Sequence, residues 1–478
     1  MPEPSWSESH SYSVIDPTVA DKLGESIATS GVTPMPEPRA TAGPRSDRRR
    51  QKAAVLLTVV WGSTIALHSV SWGLWLVLGL TTLMGVHALR VLRLRPHVAP
   101  LPLDIDGSEN CPYVSLLVAA KNEEAVIARL VESLCQLDYP RDRYELWIID
   151  DNSDDQTPVI LKQLAQQYSH LRIVRRGPGA GGGKSGALNQ VWPQAAGEIL
   201  AVFDADAQVP ADLLRRVLPL FTQERIGAVQ VRKAIANAQH NFWTRCQAAE
   251  MALDSCVQQQ RIAIGGIGEL RGNGQFIRRE ALESCGGFNE ATITDDLDLT
   301  LHLHIQGWDI EFLNDVAVLE EGVTTAIGLW HQRNRWAEGG YQRYLDYWKP
   351  LIQNRLGPRK TYDLAMFWVM QYLLPTAAVP DLLMAYLRNC PPLLSPLVAL
   401  AIGFSMLSMM MGLRRTQHRP LWVQGWQTLQ ANVYLMHWML VIATMAMRIS
   451  VRPKRLKWVK TIHHGEGSPL TTSGSSSR

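Results

Sequence analysis

Cysteine is scarce in this chain. Six occur in 478 residues (Cys111, Cys135, Cys246, Cys256, Cys285 and Cys390), with no C-x-x-C pair and no Cys/His set at zinc spacing. The expectation is free, buried thiols in a reducing compartment rather than a disulfide scaffold or a structural zinc site. Net charge is scarce too: the formal balance is +3, which argues against whole-chain steering toward nucleic acid. No internal repeat is evident. The first residues lack the basic-then-apolar pattern of a secretory signal.

Apolar residues are clustered rather than spread. Residues 1–45 are rich in Ser, Pro, Glu and Thr and too poor in large apolar side chains to offset chain entropy, so they read as a disordered leader. Residues 46–95 read as a membrane hairpin. Ala53–Val70 and Trp72–Leu89 are nearly charge-free, and each is about the length that crosses a bilayer. Arg45–Lys52 flanks one outer end, and Arg90, Arg93 and Arg95 the other, which puts both ends in the cytoplasm. Residues 361–450 turn apolar again, with candidates at Leu364–Leu387, Leu393–Leu413 and Val433–Met447. The first carries Pro375, Pro380 and Asp381 and reads as kinked, re-entrant or interfacial. Three crossings cannot keep Arg414, Arg415 and Arg419 and the basic end Arg448–Lys460 all beside a cytoplasmic domain, so the number of spans stays open. Residues 451–478 read as a basic, then Ser/Gly-rich, tail.

Between these lies a soluble region, residues 112–353. Short apolar runs (Val114–Ala120, Leu146–Asp150, Leu171–Val174, Ile199–Phe203, Ala228–Val231) alternate with helical patterns (Ile127–Leu137, Pro158–Tyr168, Ser185–Gln194, Ala211–Phe221). That order predicts an α/β domain whose mostly parallel sheet carries helices on both faces and binds ligands beyond the carboxyl ends of its strands.

The chemistry-bearing residues fall at those ends. The run Ile199–Phe203 leads into Asp204-Ala205-Asp206. The two carboxylates share a face if extended geometry continues, and would suit a partly hydrated Mg²⁺ or Mn²⁺ completed by substrate phosphates. The second run ends at Asp150-Asp151, where an acid can accept from a ribose hydroxyl or a base N–H. Gly177–Ser185 resembles a phosphate loop, but Pro178 stands where G-x-x-x-x-G-K-S needs glycine; a flexible loop delivering Lys184 toward a phosphate fits better. Asp295 and Asp296 sit near a helix start, as caps or as a general base. Gln332, Arg335 and Trp336 fall at i, i+3 and i+4 on one helical face, suited to a diphosphate and a stacked ring.

The ordered set N-E, D-D-x-S-x-D-x-T (Asp150–Thr157), G-K-x-x-A-L-N (Gly183–Asn189), D-x-D, R-R-x-A-L with G-G-F (Arg278–Phe288), T-D-D and Q-x-x-R-W resembles the membrane-bound family 2 glycosyltransferases with the GT-A fold. Two positions depart from it: Asp295 stands where Glu is usual, and Lys121 replaces a small or aromatic residue. The resemblance implies roles. Asp151 contacts the uracil of a UDP-sugar and Lys184 lies near the nucleotide. Asp206, with Asp204, holds the metal–diphosphate. Asp296 is the catalytic base, and Gln332, Arg335 and Trp336 bind the diphosphate and shape the acceptor mouth. It also implies single-displacement chemistry that inverts the sugar.

Two acceptor classes fit such a site: a growing β-polysaccharide, or a membrane lipid. Few membrane segments are available to wall a polymer channel. The hairpin, the leader and the Lys457–Thr461 tail resemble the cyanobacterial branch that glucosylates 1,2-diacylglycerol from UDP-glucose, which implies a plasma- or thylakoid-membrane enzyme with its catalytic domain cytoplasmic. A non-catalytic scaffold is the least favoured reading, because every acidic motif position is filled. No motif distinguishes glucose from galactose.

Overall fold

Short apolar runs with no polar interruption become parallel strands buried on both faces. In the computed structural model, which describes residues 45–105, 111–417 and 419–452, they build a seven-stranded sheet among the described residues. The strands are β1 (Val114–Ala120), β2 (Tyr144–Asp150), β3 (Leu171–Arg175), β4 (Ile199–Phe203), β5 (Ile226–Ile235), β6 (Gln275–Arg278) and β7 (Asp309–Glu320). Their order is β3-β2-β1-β4-β6-β5-β7. β3, β2, β1 and β4 are mutually parallel, β6 runs antiparallel to β4 and β5, and β7 is parallel to β5.

Alternation sorts each strand between two cores. On β1, Leu116 and Val118 join Leu130 and Leu134 of α3 (Ile127–Cys135) on one face. Leu117 joins Leu188 and Val191 of α5 (Gly183–Val191) on the other. α4 (Thr157–Gln167) and α6 (Leu213–Val217) complete this half. Registers Ala120↔Asp150 and Val118↔Phe203 bring the ends of β1, β2 and β4 to one edge.

α7 (Phe242–Ala263), α8 (Arg279–Ser284), α9 (Asp295–Ile305) and the 27-residue α10 (Ala326–Ile352) follow in the chain. The hairpin is α1 (Arg45–Ser69) and α2 (Gly73–Arg93). α1 begins eight residues before the expected apolar stretch, because its basic end is anchored. Arg49 Nη2 pairs with Asp346 of α10 at 2.5 Å, and Lys52 Nζ donates to the Leu345 carbonyl at 2.7 Å. α11 (Pro358–Trp368), a π-helical turn at Val369–Leu373 and α12 (Leu374–Leu387) form one continuous run. α13 (Ser395–Thr416), α14 (Leu421–Leu435) and α15 (His437–Val451) end the described chain. Among the described residues, four helical segments are long and apolar enough to cross a membrane: Arg48–Ser69, Gly73–Arg93, Ser395–Thr416 and Leu421–Val451.

Five cysteines are buried, but Cys390 is exposed, against the expectation of burial for all six. It sits in the turn after α12, where no core is available to cover it. The leader (residues 1–44) and the tail from residue 453, including Lys457–Thr461, lie outside the described residues.

Glycine lets α13 approach α7 closely. A Cβ at Gly412 would stand 2.1 Å from the Ala252 carbonyl oxygen, whereas one at Gly403 on the same helix meets nothing within 4 Å. Gly412→Leu should therefore destabilise the protein by about 1–3 kcal/mol through overpacking, and Gly403→Leu should be near neutral. Thermal unfolding in detergent, with both variants side by side, checks the difference.

Candidate active site

The loops after β1 and β2 are bound to each other by side chains of the D-D-x-S-x-D-x-T stretch. Asp150 is buried, and its Oδ1 accepts from the Ser153 N–H at 2.9 Å. Ser153 Oγ and Thr157 Oγ1 accept from the backbone N–H groups of Asn122 and Glu123, at 2.9 and 2.8 Å. Within the cluster Asp155 caps the start of α4, its Oδ1 accepting from the Thr157 N–H at 2.9 Å, while Gln156 at the N-cap position makes no side-chain cap bond. Asp150 is thereby spent on the turn, and Asp151 faces outward. Arg176 Nη1 donates to Asp151 Oδ1 at 2.6 Å, and Lys121 Nζ stands 3.8 Å from Oδ2. Arg176 also donates to the carbonyls of Gly181 and Gly183, at 2.5 and 3.2 Å, so Asp151 and the glycine loop share one guanidinium.

That loop ends in Gly182 and Gly183, both at positive φ (79° and 54°), and opens directly into α5. The turn delivers Lys184. Its Nζ donates to Asp204 Oδ1 at 2.5 Å and to the Gly272 carbonyl at 3.2 Å. Burial opposes the Lys184 charge, but Asp204, Asp295 and Asp296 outweigh it and hold its pKa above the ordinary lysine value.

The D-x-D departs from extended geometry. The chain turns after Phe203, with the Ala207 N–H donating to the Asp204 carbonyl at 3.0 Å. Asp204 stays half-buried and faces Lys184. Asp206 is buried, its Oδ2 accepting from the Glu321 N–H at 2.9 Å. The shared-face geometry ends where the strand does.

Asp295 and Asp296 open α9, with Thr294 at the N-cap position. Asp296 Oδ1 accepts from the Leu297 N–H at 2.8 Å. Its Oδ2 faces Gly272, where a Cβ would stand 3.2 Å away. Burial, reinforced by Asp295, pushes the Asp296 carboxyl up to about 6, while the Leu297 N–H, Lys184 and Lys233 pull the other way. Asp295 Oδ2 is buried without a hydrogen-bond partner. Asp298 is buried too, but turned toward Asn289 (3.1 Å) and Tyr347 (3.2 Å).

On α10, Arg335 is half-buried. Burial lowers its pKa and the Asp204 charge opposes that shift. Trp336 lies under two cations, Lys233 at 5.4 Å and Arg333 at 4.2 Å. Gln332 Oε1 is buried without a partner. The fold thus collects Lys184, Asp204, Asp295, Asp296 and Arg335 into one electrostatic cluster, with Trp336 joined through Lys233. Asp151 sits apart from that cluster, on Arg176.

Four participants had no signal at the sequence level. Lys233 lies within a strand and pairs with Glu320 at 2.9 Å. Gly272 and Asn273 form the loop beneath the acids, Asn273 Oδ1 accepting from the Asp204 N–H at 3.2 Å. Arg333, at a variable position of Q-x-x-R-W, is fully buried, paired with Glu250 at 2.5 Å and stacked on the Trp336 ring at 4.2 Å.

The donor set fits a hard divalent cation only in part. Asp204 already holds an ammonium, so the position accepts positive charge. Among the described residues no three His, Cys, Asp or Glu side chains converge as a ready-made metal site. Two carboxylates are what the protein offers, and a bound Mg²⁺ or Mn²⁺ would need phosphate oxygens to complete its shell.

Comparison with known proteins agrees with this geometry. The family described as "Glycosyltransferase like family 2" matches residues 112–339. A Trichormus variabilis protein named beta-monoglucosyldiacylglycerol synthase is 56% identical over 474 residues, covering 98% of this chain and 100% of its own. The chain belongs to the family 2 glycosyltransferases. A Synechocystis sp. protein of the same name is 57% identical to this glycosyltransferase over 427 residues, 87% of this chain and 89% of its own. Among solved structures, mannosyltransferase PcManGT from Pyrobaculum calidifontis, in complex with GDP-Man and Mn²⁺, superposes with a TM-score of 0.51. Its identity is 23%, over 82% of this chain and 99% of its own, so the likeness is one of fold. The architecture is the GT-A kind: a mostly parallel sheet joined to helices able to cross a membrane.

Gly272 offers a stability test at the centre of this site. Its φ is +82°, and an added Cβ crowds Asp296. Gly272→Ala should cost about 1–2 kcal/mol from the left-handed backbone alone. Gly177→Ala, with open space and no positive φ, should change stability by less than about 0.5 kcal/mol. Chemical denaturation of the two variants compares them.

Proposed function

We propose that this glycosyltransferase moves glucose from UDP-glucose to the free hydroxyl of 1,2-diacylglycerol, inverting the anomeric centre to give a β-glucolipid. The acceptor reading is supported by 56–57% identity, over most or all of their length, to proteins named for that product. The chemistry is carried by one observation: Lys184 bridges the end of β4 and the start of α9, donating to Asp204 at 2.5 Å and to the carbonyl of Gly272, the residue that Asp296 Oδ2 faces.

In this reading Asp151 accepts from the uracil, released from Arg176 as the nucleotide enters. Lys184 shifts from Asp204 toward the diphosphate. Asp204 and Asp206 hold Mg²⁺ or Mn²⁺, which when bound supplies positive charge against the diphosphate. Arg335, already half-buried, stabilises charge building on the departing UDP, and such an interaction is strongest where water is excluded. Gln332 and Trp336 line the acceptor side. Asp296 takes the proton from the acceptor hydroxyl as its oxygen forms the new bond to the anomeric carbon and the bond to UDP breaks. The basic flanks Arg45–Lys52 and Arg90–Arg95 support a domain on the cytoplasmic side, of a plasma or thylakoid membrane.

Incubation with UDP-glucose or UDP-galactose, and either diacylglycerol or an oligosaccharide, should add one hexose mass to diacylglycerol from UDP-glucose alone. Extension of the oligosaccharide only would overturn the lipid reading.

Asp296→Asn should lower kcat by about 10²- to 10⁴-fold with little change in UDP-glucose affinity. Asp295→Asn and Asp298→Asn should do less, the latter because its carboxyl faces Asn289 and Tyr347 rather than Gly272. A base must be ionised. With Asp296 pushed up to about 6, wild-type kcat should hold above that pH and fall tenfold per unit below it. A flat profile through pH 5 would remove Asp296 from the role.

The metal reading has its own test. Asp206→Ala should abolish turnover and make UDP-glucose binding insensitive to Mg²⁺, as measured by calorimetry with and without chelator.

A further inference from the structure

Between α7 and β6 the chain passes beneath the active-site acids as residues 265–274, a stretch that is neither helix nor strand. Most of it is buried, and buried irregular backbone must find partners for its N–H groups elsewhere. Side chains of four other elements supply them. The Ile267 N–H donates to Asp363 Oδ2 of α11 at 3.1 Å, and the Glu269 N–H to Gln258 Oε1 of α7 at 3.0 Å. The Leu270 N–H donates to Thr300 Oγ1 of α9 at 2.9 Å, and the Arg271 N–H to Gln230 Oε1 of β5 at 2.6 Å. The same stretch then presents Gly272 to Asp296 and Lys184, and Asn273 to Asp204.

Its side chains anchor it as well. Glu269 has none of its surface exposed, and a carboxylate stays ionised there only if cations face it. Arg343 Nη1 of α10 donates to Glu269 Oε1 at 2.8 Å, while Arg271 Nη1 and Arg261 Nη1 stand 2.9 and 3.5 Å from Oε2. Burial opposes the Glu269 charge, but Arg343, Arg271 and Arg261 outweigh it and hold the carboxyl well below the usual range. Two of these cations each hold a second acid. Arg261 Nε donates to Asp363 Oδ2 at 2.9 Å, and Arg271 Nη2 to Asp254 Oδ1 at 2.8 Å. Asp363 Oδ1 in turn stands 3.3 Å from His87 Nε2 of α2. Glu269 is thus tied to α7, α10, α11 and the hairpin, three residues before Gly272.

Thr300 closes the link to Asp296. It is fully buried, and its hydroxyl accepts from the Leu270 N–H while donating to the Asp296 carbonyl at 2.9 Å. Threonine often bonds the carbonyl four residues back in its own helix. The second bond, to a residue 30 positions away, is what joins the stretch to the turn that carries the acids.

We infer that Glu269 and Thr300 are positioning residues for the transfer. Glu269 anchors the Leu270–Asn273 turn, and Thr300 sets that turn against Asp296, so that Gly272 keeps Lys184 and the Asp296 carboxyl at a fixed separation. Both act through Gly272 and Asp296 rather than on the substrates. The effect on rate rests on the transferase reading; the anchoring itself does not, and the two are measured separately.

Thr300→Val keeps the shape of the side chain and removes its hydroxyl, whereas Thr300→Ser keeps the hydroxyl and removes a methyl. In the full chain, Thr300→Val should lower kcat for hexose transfer to diacylglycerol about 10- to 100-fold, the cost of a small misplacement of reacting groups. The KM for UDP-glucose should stay within about twofold, and Thr300→Ser should regain most of the rate. A threonine that only fills space would not separate kcat from KM, nor would serine rescue it. A wild-type kcat in Thr300→Val, or a raised KM at unchanged kcat, overturns the proposal. Hydrogen–deuterium exchange of the full chain without substrate is the second measurement. Residues 265–274 should be protected in the wild type and exchange about tenfold faster, as a local opening, in Thr300→Val and in Glu269→Gln. Should Glu269→Gln fail to fold, Thr300→Val decides alone. Unchanged protection overturns the proposal whatever the transfer assay shows. A wild type that moves no glucose to diacylglycerol overturns the transferase reading instead, and exchange still decides the anchoring.

Discussion

Arg333 is a full arginine with none of its surface exposed, and the placement of α10 depends on how its charge is satisfied. Glu250 supplies the counter-charge at 2.5 Å, Tyr434 a hydroxyl at 3.2 Å, and Trp336 and Trp438 the flanking rings. A guanidinium can be buried in this way because its planar faces stack while its edge bonds. Loss of one partner from such a pair leaves an uncompensated charge worth about 3–5 kcal/mol. The orientation of α10 is thereby specified by a helix of the catalytic domain on one side and by the last helical segment on the other. Its half-buried face, with Gln332, Arg335 and Trp336, has little freedom to rotate away from the sheet edge.

The site is electrostatically closed upon itself. Lys184 answers Asp204, Arg176 answers Asp151, and Lys233 answers Glu320. Each cation is one that a nucleotide diphosphate could claim, and each acid would then be released to a metal, a base edge or a proton. Such exchange of partners avoids leaving a buried charge alone at any stage, which in a low-dielectric pocket is the expensive outcome. Asp296 is the exception: burial and Asp295 keep its carboxyl poised near neutrality.

Much of the domain was legible in the chain. The five expected strands and the helices between them formed, with shifts of a few residues at their ends, because buried parallel strands announce themselves as unbroken apolar runs. The N-E, D-D-x-S-x-D-x-T and D-x-D motifs landed at one sheet edge for the same reason, whereas R-R-x-A-L lies at the other, with Arg278 opposite Ile199 at the start of β4. Their internal division of labour was not legible. Asp150 and Asp151 are adjacent and chemically identical, and only the Ser153 N–H, reaching back to Asp150, separates a turn-former from an outward acid. Asn189, in G-K-x-x-A-L-N, proves to bind both the N–H and the carbonyl of Phe288, in G-G-F. Two motifs about a hundred residues apart thus secure each other.

Composition along the chain determined which stretches could enter a bilayer, which acids end strands, and the family to which the chain belongs. These are local properties: a run of apolar side chains is apolar whatever surrounds it. What hydropathy could not read is which partner covers each stretch. Leu421–Val451 has the length and composition of a span, and its inner face is covered by Glu250, Ala337 and Ala53 from three separate helices. Leu364–Leu387 carries Asp381 and two prolines, yet Arg388 just past its end donates to the His68 carbonyl at the hairpin tip. Burial is set by neighbours brought from elsewhere in the chain, so only the tertiary structure shows which residues of each apolar stretch are covered by protein.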